Sequence, residues 1–428
     1  MLKIVSVDSK NIDAVISKLE NRESSYKEID EKVEIIINEV IEKGDAALKK
    51  YTLLFDGADI ENFKVSQQEI DSAYSKVEEK YIKVIKQAKE NIEEFHKNQL
   101  TKSWFTNSNN GIILGQMINP IERVGIYVPG GKAAYPSTVL MNAVPAKVAG
   151  VSSIVMVTPP DKNGNINPYI LAAAKIAGVS QIYKLGGAQA IAALAYGTET
   201  IKKVDKITGP GNIYVARAKK MVFGAVDIDM IAGPSEICII ADENSNPKYI
   251  AADLFSQAEH DEMAAVSLIT TSKHLSEEVI KFLHSDIENL SRKSIISKSL
   301  KDHGNIYLAD NLETAFNICN SLAPEHLEIM LSDPFSYISK IKNAGAVFLG
   351  SYSPEPLGDY FAGPNHTLPT GGSAKYSSPL GVDDFIKKSS IIYYSREELD
   401  KVNKDIQYFA EKEGLDAHAN SLKVRLNL

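Results

Sequence analysis

The chain has 428 residues, 44% of them hydrophobic and 24% charged, with a formal net charge of −8; that is too long for one ordinary core and has the composition of a globular protein. No basic footprint for nucleic acid is present, and no apolar run reaches the roughly 18–20 residues that span a bilayer, so neither nucleic acid nor membrane is an expected partner. Two cysteines cannot build a disulfide framework, and the opening MLKIVSVDSK lacks the features of a secretion signal, so a cytoplasmic location is expected.

Residues 10–100 read as mostly helical. SYKEIDEKVEIIINEVIEKG carries apolar residues at helical spacing and stops at Gly44, while Ser66 and Glu69 have the spacing of a capping box. KYIKVIKQAKENIEEFHKNQL continues with apolar Ile82, Ile85, Ile92 and Phe95. From about residue 112 the pattern changes. The short apolar runs VGIYV, SIVMV, QIYKL and KIT alternate with helical stretches near 136–149, 167–177, 188–196 and 212–223. A second series follows in EICIIAD, AVSLITT, NIYLAD, LEIML and AVFLG. Such alternation predicts βαβ units and parallel sheets. The expected fold class is therefore α/β, with two Rossmann-like, partial doubly wound bodies, a helical N-terminal region and a small C-terminal tail. The expected boundaries are 1–107, 108–235, 236–381 and 382–428. The last segment is charged, helical in pattern and too small to own a core, so it must dock on another body.

Chemistry concentrates around four of the eight histidines: His260 in FSQAEHDEMA, His326 in LAPEHLEIM, His366 in GDYFAGPNHTLPTGG and His418 in EGLDAHAN. Imidazole is the commonest metal ligand and titrates near neutrality, so its clustering with carboxylates suggests a metal or proton-transfer site. His96, His274, His284 and His303 read as ordinary surface residues. Gln257 and His260, three apart on an expected helix, can share a face and a metal, although a solvated helix end gives the same spacing. Glu325 and His326 pair an acid with an imidazole at an element boundary, which suits two distinct proton transfers or a plain surface turn. Residues 353–372 show neither helical nor strand period; a long, aromatic-containing loop of this kind is usually functional, with Glu355, Asp359, Asn365 and His366 as possible ligands or substrate contacts. Glu413 and His418 repeat the acid–histidine theme in the tail.

Glycine-rich turns follow expected strands at VPGGKAAYPS, LGGAQAIAALA and TGPGNIYVARAKK. Each could aim backbone N–H groups at phosphate oxygens, yet none has the G-x-G-x-x-G spacing, so a tight turn explains them equally well. Cys238 and Cys319 sit in apolar surroundings and read as buried small hydrophobes.

Taken together, VGIYVPGG, GGAQAIAALAYGT, TGPGNIYVARAKK, DMIAGPSEICIIAD, DLFSQAEHDEMAAVSLIT, NSLAPEHLEIM, PEPLGDYFAGPNHTLPT, SPLGVDDFIKKSS and EGLDAHA closely resemble the L-histidinol dehydrogenase family. They cover nearly everything after residue 110, in order. The resemblance implies an NAD-dependent, four-electron oxidation of L-histidinol to L-histidine through an aldehyde, the last steps of histidine biosynthesis. It implies zinc ligands at Gln257, His260, Asp359 and His418, with manganese or cobalt as possible substitutes, and acid/base residues at Glu325 and His326. Substrate contacts would fall on Ser235, Gln257, His260, His326, Asp359, Glu413 and His418, with Glu355 and His366 nearby. NAD contacts would fall on Tyr127, Gln189 and Asn212. It also implies a homodimer in which the C-terminal tail completes the partner's site. Two other readings fit the residues: a zinc hydrolase using Glu325 as base, and a non-catalytic, metal-dependent binder of an imidazole amine.

Overall fold

The structure, a computed structural model, describes residues 2–20, 26–108, 111–130 and 135–426. The chain forms two compact units, Met1–Gln99 with Glu122–Phe385, and Leu100–Ile121 with Ile386–Leu428. In chain order the strands are β1 (Lys3–Val7), β2 (Trp104–Ser108), β3 (Ile112–Pro120), β4 (Arg123–Tyr127) and β5 (Ser153–Thr158). Then come β6 (Gln181–Lys184), β7 (Lys206–Thr208), β8 (Asp227–Ile228), β9 (Glu236–Ala241) and β10 (Ala265–Thr270). The last are β11 (Gly304–Ala309), β12 (His326–Met330), β13 (Ala346–Leu349) and β14 (Ile386–Tyr394).

The first sheet of the large unit runs β6-β5-β4-β7-β8, all parallel. Its inner strands bury nearly every residue because helices cover both faces, which is why they read as continuous apolar runs. The chain builds outward from β4 to β5 and β6, then returns to place β7 on the other side of β4. The reversal opens a crevice at the carboxyl ends of β4 and β7, the place where open α/β sheets receive ligands. The helix Lys27–Lys43 turns Val33, Ile36, Ile37 and Val40 into the core at helical spacing, against Ala190–Ala195. Gly44 ends it at φ 51°, as the sequence predicts. The capping box of Ser66 and Glu69 is formed. Residues 63–65 then cover the edge of β6: Val65 N–H donates to the Ile182 carbonyl at 2.9 Å, and Lys184 N–H to that of Phe63 at 2.8 Å.

The second sheet runs β1-β11-β10-β9-β12-β13, again all parallel, with its reversal between β9 and β12. Here the crevice at the carboxyl ends is stitched closed. Asp242 accepts both the N–H and the hydroxyl of Ser332 at 3.1 Å, and Ser245 donates to the Met330 carbonyl. What remains open is the opposite, amino end of β9 and β12. The carboxyl end of the first sheet packs there: Asn365 Nδ2 donates to the Met141 carbonyl at 2.6 Å.

Several sequence expectations need correction. Residues 1–107 are mostly helical but also hold two strands, β1 at an edge of the second sheet and β2 in the small unit. The run Ile4-Val5-Ser6-Val7 is β-branched and too short for a helical period. The boundary at 108 moves to 122, since β3 pairs antiparallel with β14 and β2 instead of entering the first sheet. The tail from 382 opens on Val382–Phe385 of the large unit, then the nine-residue strand β14, before its two helices Arg396–Lys412 and Asp416–Leu426. The stretch 353–372 contains the short helix Glu355–Tyr360, started by Pro354 and by Glu328, which accepts the Glu355 N–H at 2.9 Å. His96 is fully buried, its Nδ1 bonded to the Ile92 carbonyl at 2.7 Å, whereas Phe95 is substantially exposed. Both cysteines are buried, as expected. Within VPGGKAAYPS, residues 131–134 lie outside those described.

Candidate active site

The site grows from the amino ends of β9 and β12. His326 is the first residue of β12 and is paired in register with Ile237 of β9 and Ala346 of β13, so its backbone is fixed by strand pairing on both sides. Its Nδ1–H donates to the Glu236 carbonyl at 3.1 Å. That bond leaves the lone pair on Nε2, which is buried and without a partner. Nε2 lies 4.0 Å from Glu355 and 3.9 Å from Asp359. Burial pushes the His326 pKa down to about 3, so the ring is neutral and its open lone pair is on Nε2.

Glu325 is also buried. Its Oε2 accepts the Glu236 N–H at 2.9 Å and stands 3.7 Å from His326 Nδ1. Burial raises its pKa well above the usual carboxylate range, against the pull of that N–H. The expected acid–imidazole pair therefore exists, with one backbone residue, Glu236, holding both members.

The carboxylates come from the helix Glu355–Tyr360. Glu355 and Asp359 are four residues apart and share its face. With His260, just beyond the helix Pro247–Ala258, they bring three ligand atoms within 4.8 Å of one another. Burial raises the pKa of both carboxyls, so each resists carrying a lone negative charge. Ser256 donates to Glu355 at 3.0 Å. Gln257 is fully buried with both amide atoms unpartnered, an arrangement costly without a ligand for the oxygen. His366 donates from Nδ1 to the Asp359 carbonyl at 3.1 Å and accepts from Thr138 at 3.4 Å; burial lowers its pKa to about 4.

The carboxylate oxygens of Glu355 and Asp359, the His260 imidazole and the orphaned Gln257 amide form a donor set that fits a divalent cation with mixed nitrogen and oxygen ligands. His260 and Asp359 meet as the sequence suggested. Glu355, there a substrate contact, joins them as a further candidate ligand. Ser235 sits at the entry to β9, its carbonyl accepting from Ala265 N–H at 2.9 Å. Glu413 and His418 are exposed on the small unit, flanking the turn between its two helices. Sequence reasoning missed Glu328, Ser256, Thr138 and the Glu236 carbonyl. Only Glu328 left a signal, as an acid inside the apolar run LEIML.

The residues that the resemblance assigns to NAD gather around the first sheet. Tyr127 ends β4, and its hydroxyl accepts the Gly187 N–H at 3.1 Å; burial pushes its pKa up to about 12. Gln189, in the helix Gly187–Tyr196, is fully buried with an unpartnered amide. Asn212 is exposed beyond β7 and caps the helix Ile213–Val222 by accepting the N–H groups of Tyr214 and Val215.

This arrangement has close relatives. The family model described as histidinol dehydrogenase matches residues 19–426. The chain belongs to the histidinol dehydrogenase family. It is 57% identical to the histidinol dehydrogenase of Clostridium acetobutylicum over 99% of both chains, and 50% identical to that of Lactococcus lactis over the full length of both. The crystal structure of histidinol dehydrogenase from Elizabethkingia anophelis superimposes with a TM-score of 0.93 at 39% identity, covering 100% of this chain and 98% of that one. As in that family, the fold is mixed α/β with parallel sheets.

Proposed function

We propose that this chain oxidises L-histidinol to L-histidine through L-histidinal, the four-electron close of histidine biosynthesis, using two molecules of NAD per turnover and a zinc ion. One observation carries the reading: the neutral, buried His326 directs an unpartnered Nε2 at the carboxylates that flank His260. A cation held by Gln257, His260 and Asp359, with Glu355 in reach and His418 supplied by the tail of the opposite subunit, would supply a Lewis acid for the substrate's imidazole and amine; manganese or cobalt suits the same donors. NAD, received at Tyr127, Gln189 and Asn212, supplies the hydride acceptor.

The remaining work falls to side chains. His326 takes the hydroxyl proton at Nε2 as the carbinol carbon loses hydride. Glu325 then takes a proton from the water that adds to the aldehyde, and His326, having released its first proton to solvent, takes the remaining hydroxyl proton as the hydrated carbon loses the second hydride, which leaves the carboxylate. The acidic pocket favours a cationic substrate, and a positive charge among these carboxyls draws their pKa values down, which lets Glu325 act as a base. Ser235 and His366, with Glu413 from the tail of the opposite subunit, complete the substrate's surroundings. Enclosure by buried residues protects the aldehyde between the two steps.

The test is spectrophotometric. Metal-loaded protein given L-histidinol and NAD should form two NADH per histidinol, with L-histidine as product. A hydrolase or a passive binder would give no NADH, and that result would remove the proposal.

A further inference from the structure

Lys219 is among the largest side chains that the large unit buries completely. It lies in the helix Ile213–Val222, and its ammonium pairs with Asp229, whose side chain is wholly enclosed. Both partners also hold a single glycine. Lys219 Nζ donates to the Gly209 carbonyl at 2.9 Å, and Asp229 Oδ2 accepts the Gly209 N–H at 2.8 Å. The other carboxylate oxygen accepts the Met230 N–H at 2.6 Å. Every strong bonding atom of Gly209 is thus taken by one buried ion pair.

Gly209 follows β7, at the crevice where the strand order reverses. Its φ is +111°, and a Cβ there would fall 2.2 Å from the Tyr127 carbonyl oxygen. The ends of β4 and β7 can approach this closely only through glycine. Glycine, however, has the widest backbone freedom of any residue, so its conformation must be imposed from outside. Stability alone is a weak reason for such a pair, because removing two charges from water costs about as much as their attraction returns. A conformational reason is the better one.

We propose that Lys219 and Asp229 are positioning residues for the dinucleotide. By clamping Gly209 they hold the turn from Gly209 to Asn212, the start of the following helix and the adjacent end of β4 in receiving shape before the dinucleotide arrives. The proposal rests on the reading that Tyr127, Gln189 and Asn212 bind NAD. Preorganisation of this kind acts on cofactor affinity and leaves the proton-transfer residues, which sit on the other sheet, in place.

The double variant Lys219→Met/Asp229→Asn removes both charges without stranding either. In the metal-loaded, full-length enzyme, KM for NAD should rise at least tenfold while KM for histidinol stays within threefold. Gln189→Ala serves as the control for the cofactor reading. If Gln189→Ala weakens NAD and the folded double variant does not, the clamp is wrong and the cofactor site stands. If neither variant changes NAD binding, the cofactor reading fails and takes the clamp with it. A parallel rise in both KM values marks a general structural role and also overturns the proposal. Hydrogen exchange on the unaltered protein covers a double variant that does not fold. The Gly209 amide should exchange slowly before NAD is added and no more slowly afterwards. Fast exchange that slows only with NAD would mean that the cofactor, not the ion pair, shapes the turn.

Discussion

At the scale of single residues, the site depends on which atom of each group is left open. His326 Nδ1 is tied to the Glu236 carbonyl at 3.1 Å, so Nε2 is the only ring atom able to take a substrate proton. His326→Ala should lower the rate of histidinol oxidation by about 10²–10⁴-fold, the usual worth of a positioned general base, with metal content unchanged. Glu325 has a different position, held by the Glu236 N–H at 2.9 Å and absent from the His260, Glu355 and Asp359 group. Glu325→Ala should therefore slow oxidation of added histidinal more than it slows the first oxidation of histidinol. Stopped-flow measurement of each half-reaction decides it. Equal loss in both half-reactions for both variants would show that the two roles have been divided wrongly.

At the scale of elements, the short helix Glu355–Tyr360 does the most for the candidate metal centre, because its two inward carboxylates stand one turn apart beside His260. Exhaustive chelation should abolish turnover, and zinc, manganese or cobalt should each restore it at least in part, since no thiolate enforces one metal. Asp359→Ala and His260→Ala should each weaken metal retention by about tenfold or more, read as bound metal after dialysis against a chelator. Full activity in protein verified to be metal-free would sink the idea. That helix is also where sequence reading fell short. Strands such as SIVMV and EICIIAD were legible because parallel strands covered on both faces must be apolar throughout. The Glu355–Tyr360 helix, two turns at most, preceded by Pro354 and interrupted by Pro356 and Gly358, is too short to show a period. Strands β1, β2, β3 and β14 escaped for another reason. They lie at an edge or in the small unit, where burial is partial and polar residues interrupt the run. His260, Glu325, His326 and Asp359 were legible as chemistry out of place in irregular sequence. Their convergence was not, because it depends on the second sheet presenting its amino end and on a backbone carbonyl that has no sequence signature.

At the scale of the whole molecule, the small unit raises the question of partnership. Its sheet, β14-β3-β2, and two helices leave Trp104, Phe105, Ile392, Tyr393, Tyr408, Phe409 and Val424 more than half exposed. So much apolar surface on one small body marks an interaction face. Glu413 and His418 lie on the same unit, exposed as well. We propose that this unit serves the opposite subunit of a two-fold dimer, so that each tail completes its partner's site. Such an interface is isologous and creates two equivalent sites. Combine one inactive variant, His326→Ala, with another, His418→Ala, then dissociate, mix in equal amounts and reassociate. In a mixed dimer one site inherits both lesions, while the other joins an intact catalytic core to an intact tail. Random pairing makes half of the dimers mixed, so activity should recover to about a quarter of the unaltered enzyme's. If each tail serves its own chain, every site retains one lesion and none recovers. Absence of recovery, with subunit exchange confirmed by mass-tagged chains, would eliminate the shared-site arrangement.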